Sequence, residues 1–417
     1  MPNYRRWNGG ATAVAQVKTI RFTTSAAGNV VTITMTGEDG SQQAVTHTVA
    51  DTNNNTTAAA VQAVCASSGL SLFQQVSFTV STDTVTVTAG LAGRPFLLTV
   101  TDDGSTAYTV ADPTANAGPN DWNTAANWSG NTKPASGDLV TFSDGSFDAI
   151  YGLNQSGVQL YQLSVTEGFT GNIGTTSAPL KIETDHADSA AENSLNLAGS
   201  GFVYNFSGNY PIVNISANRS TCKIEGEISE TNIVGPAVAG VVTLNSSDST
   251  TNGNDITISN VSAGCLVVIP STATNTGDVR MDSGRVQCSA VTKSAKSGLL
   301  ISGGEFTMLG SGQFAGAARS LGGAPATITV LGGTYSHQSD AALSGNTKTL
   351  AVYGGTADFS KVKSSTSAEF VALGDVLLFG GTIDKSAAGN LTSFTTLSKS
   401  GGEVKQPASA VGNSAKR

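Results

Sequence analysis

Charge is scarce in this chain. Lys, Arg, Asp and Glu make up 12% of its 417 residues, against ~25% in an average globular protein. Its 22 basic and 30 acidic residues leave a net charge of −8. That balance excludes a nucleic-acid binder working through a basic face and a charge-rich disordered tail. A coiled coil is excluded too, because it needs abundant Glu, Lys and Leu. Cysteine is equally sparse. Cys65, Cys222, Cys265 and Cys288 are scattered, with no C-x-x-C pair, too few for a disulfide scaffold; they read as buried free thiols. Long apolar runs are missing. The longest, such as Cys265-Leu266-Val267-Val268-Ile269, have strand length, far from the ~18 residues of a membrane span. The start, Met1 to Gly10, has two arginines but no apolar stretch after them. Sec export is therefore not expected, and the protein is expected to be made in a cytoplasm without a signal peptide.

Chemistry-bearing motifs are also few. His47, His186 and His337 lie far apart without metal-ligand spacing. No G-x-S-x-G, Walker or G-x-G-x-x-G element stands between a strand and a helix. The G-G-x-G-x-D calcium nonapeptide is absent, since the paired glycines precede Thr or Glu. No catalytic residue, cofactor or metal site is expected.

What the chain has is glycine, 48 residues, and a surface of Ser, Thr and Asn. Residues 1–15 read as a polar arm. Period-2 strands begin at Val17–Phe22, Val30–Met35 and Ala44–Val49, with turn signals between them. Thr56–Ala66 is the one convincing helix, with an Asn run to cap it and Gly69 to end it. Strands resume at Val76–Val80, Thr84–Thr88 and Phe96–Val100. Residues 16–112 thus read as a small α+β domain, one helix on an antiparallel sheet. Residues 113–120 read as a linker, 121–405 as a β-helix and 406–417 as a polar tail. Trp122 and Trp128 are large apolar groups beside a strand and read as a plug over the first turn of the C-terminal domain.

The C-terminal third is periodic. Ser283-Gly284, Gly303-Gly304, Gly332-Gly333, Gly354-Gly355, Gly380-Gly381 and Gly401-Gly402 recur at second-Gly spacings of 20, 29, 22, 26 and 21, inside the window of stacked repeats. Two residues after the second glycine stand Val286, Phe306, Tyr335, Ala357, Ile383 and Val404. Three residues before it stand Met281, Ile301, Val330, Val352, Leu378 and Lys399; five before it stand Val279, Leu299, Ile328, Leu350, Val376 and Leu397. The intervening positions are mostly polar. Each repeat is therefore strand, glycine corner, strand, with Gly284, Gly304, Gly333, Gly355, Gly381 and Gly402 at corners whose φ a Cβ would forbid. The fold class is mainly β: a small N-terminal α+β module followed by a parallel β-helix. A pair of β-sandwiches with incidental glycines is the alternative.

The repeat brings three groups of residues together. Asp358 and Asp384 occupy one column in successive repeats, so their carboxylates would stack roughly 5 Å apart, the separation of a retaining glycosidase pair. Nothing in the sequence splits their pKa values, and a solvated polar ladder explains them as well. Glu225 and Glu227 share a strand face, and Asp102-Asp103 begin a turn at Gly104; both read as solvation and turn chemistry. Two residues before the second glycine stand Asp282, Ser302, Leu331, Tyr353, Phe379 and Ser400. Alternation turns this column outward, so Leu331, Tyr353 and Phe379 would form an exposed apolar stripe, an interface in a homotrimer. The alternative is that the corners rotate these side chains inward.

A resemblance joins these readings. The run Arg6-Trp7-Asn8-Gly9, then Ala13-Val14-Ala15-Gln16-Val17, then Thr88-Ala89-Gly90-Leu91-Ala92-Gly93-Arg94-Pro95-Phe96 leads into Asn120-Asp121-Trp122-Asn123-Thr124-Ala125-Ala126-Asn127-Trp128, with Pro134 and Gly137-Asp138 after it. Over most of its length this resembles uncharacterised structural proteins of tailed bacteriophages and prophages. The module ending in T-A-x-x-A-G-x-P-F is similar to modules of phage tail and fibre proteins. The Asn127-Trp128-Ser129-Gly130 stretch also resembles the start of β-helical autotransporter passengers. The resemblance implies a non-enzymatic virion protein on the particle surface: a capsid decoration protein, head fibre or tail-fibre component, able to take an adhesive role. It would be a homotrimer whose N-terminal domain holds another capsid or tail protein, with a host surface glycan as a further partner and neither nucleic acid nor membrane. The resemblance carries over no active-site residue. The alternatives are a tailspike-like receptor-binding protein that cleaves a glycan, and a secreted β-helical adhesin.

Overall fold

The computed structural model describes residues 2–186, 193–216, 221–247, 254–273, 276–289, 298–309, 328–338, 349–360, 372–386 and 393–406. The chain is mainly β, with a parallel β-solenoid from residue 139 onward and a small β/α region before it.

The solenoid is two parallel sheets facing each other across one core. The upstream sheet starts with Leu139–Gly145 and Gln162–Phe169 and ends with Ala372–Leu378 and Ser393–Lys399. The downstream sheet runs from Asn154–Gln159 to Thr382–Asp384 and Glu403–Lys405. Each strand pairs in parallel with its counterpart one coil away, and in the later coils the register is unbroken, as in Leu299↔Ile328↔Leu350↔Val376 and Phe306↔Tyr335↔Ala357↔Ile383. These columns are buried, because side chains alternate between faces and only one face meets the other sheet. Upstream of them the same inner column continues through Val140, Leu163, Leu195, Val213 and Thr231. Thr231 is the polar member. Its hydroxyl donates to Asn254 Oδ1 at 2.9 Å, which meets the requirement that a buried hydroxyl be hydrogen-bonded.

The six corner glycines have φ between +68° and +78°, the left-handed region where a side chain is strained. Across the corners the backbone bonds from coil to coil: Thr334, Thr356 and Thr382 N–H donate to the carbonyls of Gly304, Gly333 and Gly355, each at 2.9 Å.

Residues before 139 close the top of this core. Tyr4–Arg6 is a strand that pairs in parallel with Leu139–Thr141, and Trp7 is 1% exposed. The expected polar arm at 1–15 is corrected accordingly: the Trp7 indole draws this segment into the core. Trp7 and Trp122 both pack edge-on against Trp128, with ring centroids 4.9 and 4.6 Å apart, over Phe142 of the first coil. Trp7 Nε1 donates to the Phe147 carbonyl at 3.0 Å, and Trp128 Nε1 to the Trp122 carbonyl at 2.8 Å. Residues 121–138 thus form a cap, and the ladder begins only at Leu139.

Between Trp7 and this cap sits the α+β module, with a hydrophobic core of its own. It has two antiparallel sheets rather than one. Val17–Thr24 lies between Thr84–Ala89 and Ala107–Thr114, with Val76–Ser81 beyond; Val30–Thr36 lies between Gln42–Thr48 and Leu97–Asp102. The strand Ala107–Thr114 runs past the expected boundary at 112. The helix is Asn54–Ala66, capped by Asn53, whose side chain accepts from the Asn55 amide at 2.9 Å. Its C-cap is Ser67 in right-handed conformation, so Gly69 does not end it. The module leaves and rejoins the cap at one place: Val14 bridges Ala117, with an N···O distance of 2.8 Å. The 113–120 segment is therefore half of a stem, not a free linker. A second contact is the Glu38 carboxylate, which accepts from the Gly152 and Leu153 amides at 3.2 and 3.3 Å.

Candidate functional site

Three features of the solenoid surface are candidates for function. The first is the acidic column. Asp358 and Asp384 are in-register neighbours, but each carboxylate is used by its own chain. Asp358 Oδ1 accepts from the Ser360 amide at 2.8 Å and Asp384 Oδ1 from the Ser386 amide at 3.0 Å. Lys405 stands 3.9 Å from Asp384. Burial pushes the Asp384 carboxyl up, but the Ser386 hydroxyl and amide and the Lys405 charge together hold it below the usual range. A retaining pair needs one carboxyl raised to act as acid; Asp384 is moved the other way. Glu225 and Glu227 lie on the outer face of the strand Thr221–Val234, opposite the buried Ile224 and Ile228, and accept from Asn245 Nδ2 and Asn209 Nδ2 at 3.2 and 3.4 Å.

The second feature is a cleft at the top of the solenoid, about 430 Å³, lined by Asn3, Ser136, Asp138, Tyr161 and His186 among others. Asp138 is 2% exposed, and its carboxylate accepts from Asn3 Nδ2, Arg5 Nε and the Ala135 amide at 3.0, 3.1 and 3.0 Å. That set of donors makes Asp138 a clamp joining the N-terminal strand to the first coil.

The third is the apolar stripe. Tyr353 and Phe379 are 40% and 47% exposed, and Leu331 is half-buried. The column points outward, not into the core. The Tyr353 and Phe379 rings stack with centroids 4.6 Å apart and planes 13° from parallel. The glycine corners flank them on one side.

The cysteines and His337 lie in the interior. The four cysteines are buried, and burial pushes Cys65 and Cys222 up to about 12 and Cys265 to about 11. His337 is buried beside Tyr335, with 3.1 Å between its Nδ1 and the tyrosine hydroxyl. Among the described residues no three His, Cys, Asp or Glu side chains group to hold a metal. Sequence reasoning missed one ladder. Asn214 Nδ2 donates to Asn196 Oδ1 at 2.8 Å and Asn232 Nδ2 to Asn214 Oδ1 at 3.1 Å. Its signal was present, since Asn196, Asn214 and Asn232 recur every 18 residues, as do Gly208 and Gly226.

No protein-family model, curated protein or solved structure matches the chain.

Proposed function

We propose that the protein is a non-enzymatic structural protein of a bacteriophage particle, displayed on its surface as capsid decoration, head fibre or tail-fibre component. In this reading residues 16–112 attach the chain to another virion protein and the solenoid projects as a homotrimer, able to take an adhesive role toward a host surface glycan. The observation that carries the reading is the division of labour in the fold. The module has its own core and hangs on a stem closed by the Val14–Ala117 bridge, while three tryptophans from outside the module complete the solenoid core. A unit that can be removed without opening the projecting part is suited to attachment. The outer polar columns bond to one another or to their own backbone, as Asn214 and Asp358 do, which favours a scaffold over a reactive groove.

Deleting residues 16–115 and joining the stem tests this. The shortened chain should fold as a solenoid and fail to join particles; normal incorporation would defeat the anchoring role. Incubation of the whole protein with host polysaccharide separates the glycan-cleaving alternative, which requires new reducing ends.

A further inference from the structure

The outer face of the upstream sheet changes character along the solenoid. In early coils it carries the Asn196, Asn214 and Asn232 ladder. From residue 328 its outward positions include Leu331, Tyr353, Leu377 and Phe379, while Ala351, the register partner of Leu377, is buried. The Tyr353 and Phe379 rings stack on each other, so the ridge is continuous from one coil to the next.

Beside the ridge run Gly354-Gly355 and Gly380-Gly381, which carry no side chains, and beyond them the low rim of Thr334, Thr356 and Thr382. Ridge, bare trough and rim all repeat once per coil, about 4.8 Å apart. A second copy of the chain has the same pitch. Charge sets its direction. The ridge column begins with Asp282, and the rim column runs from Arg285 to Glu403. A parallel copy in register sets Asp282 against Arg285; an antiparallel copy sets it against Glu403. Arg285 is exposed. Burial pushes the Asp282 carboxyl up, but bonds from Ser259, Asn260 and Ser283 outweigh it and keep the group ionised.

We propose that a second copy of this chain, parallel and in register, packs its Leu331, Tyr353 and Phe379 ridge into the neighbour's glycine trough against Thr334, Thr356 and Thr382, with Asp282 facing the neighbour's Arg285. The contact is heterologous, ridge to trough, so it closes only as a ring; it rests on the homotrimer reading and gives it a geometry.

The test uses the full chain, whose native cysteines are all buried. A Ser302→Cys chain mixed with a Glu305→Cys chain reports the parallel register, and Ser302→Cys with Thr382→Cys reports the antiparallel one. On mild oxidation the first mixture should give disulfide-linked chain pairs, several-fold more than the second mixture or either variant alone. Phe379→Asp, at an exposed position, should keep its circular dichroism and sediment as one 42.1 kDa chain, where wild type sediments as a multiple. A monomeric wild type at micromolar concentration overturns the proposal, as does cross-linking only in the Ser302–Thr382 mixture. Either result is independent of whether the chain joins a particle. Failure to join one, with the Ser302–Glu305 link present, removes the virion reading and leaves the interface standing.

Discussion

A Cβ placed on Gly355 would stand 2.4 Å from the carbonyl oxygen of Gly333 in the preceding coil, and Gly355 itself has φ +68°. Two constraints therefore meet at one corner: the backbone conformation excludes most side chains, and the stacked coil leaves no room for one. Gly145, in the first coil, has φ +91° with nothing within 4 Å, so it carries only the first constraint.

Replacing Gly355 or Gly381 by Val should destabilise the solenoid by about 1–3 kcal/mol from backbone strain alone, with the clash adding to it. Gly145→Ala should cost less than Gly355→Ala. Thermal melts followed by circular dichroism check the order; equal losses at both sites would mean that coil stacking does not constrain the corner.

Trp7 should matter to the solenoid although it lies far upstream of the first coil in sequence. Its indole is 1% exposed against Trp128 and Phe142, so Trp7→Ala should cost about 3–5 kcal/mol. Deleting residues 1–15 should do at least as much harm, while deleting 16–115 should leave the solenoid transition near its wild-type position. Chemical denaturation of the two deletions makes the comparison.

Acid should weaken the last coils through Asp384. Its folded carboxyl titrates below the ordinary value, so its stabilisation is present above the unfolded pKa of about 3.9 and is lost as pH falls through the lower folded value. Asp384→Asn should flatten that acid limb and cost less than about 1 kcal/mol at pH 7, because the Lys405 contact is partly solvated. Melting curves between pH 7 and acid, wild type against variant, show whether the limb changes.

Glu38 ties the module to the first coil through the Gly152 and Leu153 amides. Glu38→Ala should leave both cores intact and raise the rate of proteolytic nicking in the 113–120 stem. An unchanged rate would show that the Val14–Ala117 bridge alone holds the module.

The repeat is legible in the sequence because paired glycines mark each corner and the columns around them alternate apolar with polar. Those two signals locate Tyr335 and Val352 in the core and Tyr353 outside it. The N-terminal segment is not legible, for the opposite reason. Trp7 sits among Arg6, Asn8 and Gly9 with no period to read, and its partners Trp122 and Trp128 are distant in sequence. The module reads as one sheet because Val17–Thr24 and Val30–Thr36 alternate alike, and alternation does not say which strands pair. Glycine spacing places the Asp358 and Asp384 column correctly, but its use is fixed by Ser360, Ser386 and Lys405, contacts that no spacing rule singles out.

The central claim is that the module attaches and the solenoid projects, and an image of purified particles tests it most directly. Electron microscopy of particles carrying the wild-type chain should show density for the antiparallel module against the particle wall, with the solenoid pointing away, and no such density for chains lacking 16–115. Density with the solenoid against the wall and the module outermost, or particles with no density for the chain at all, would contradict it.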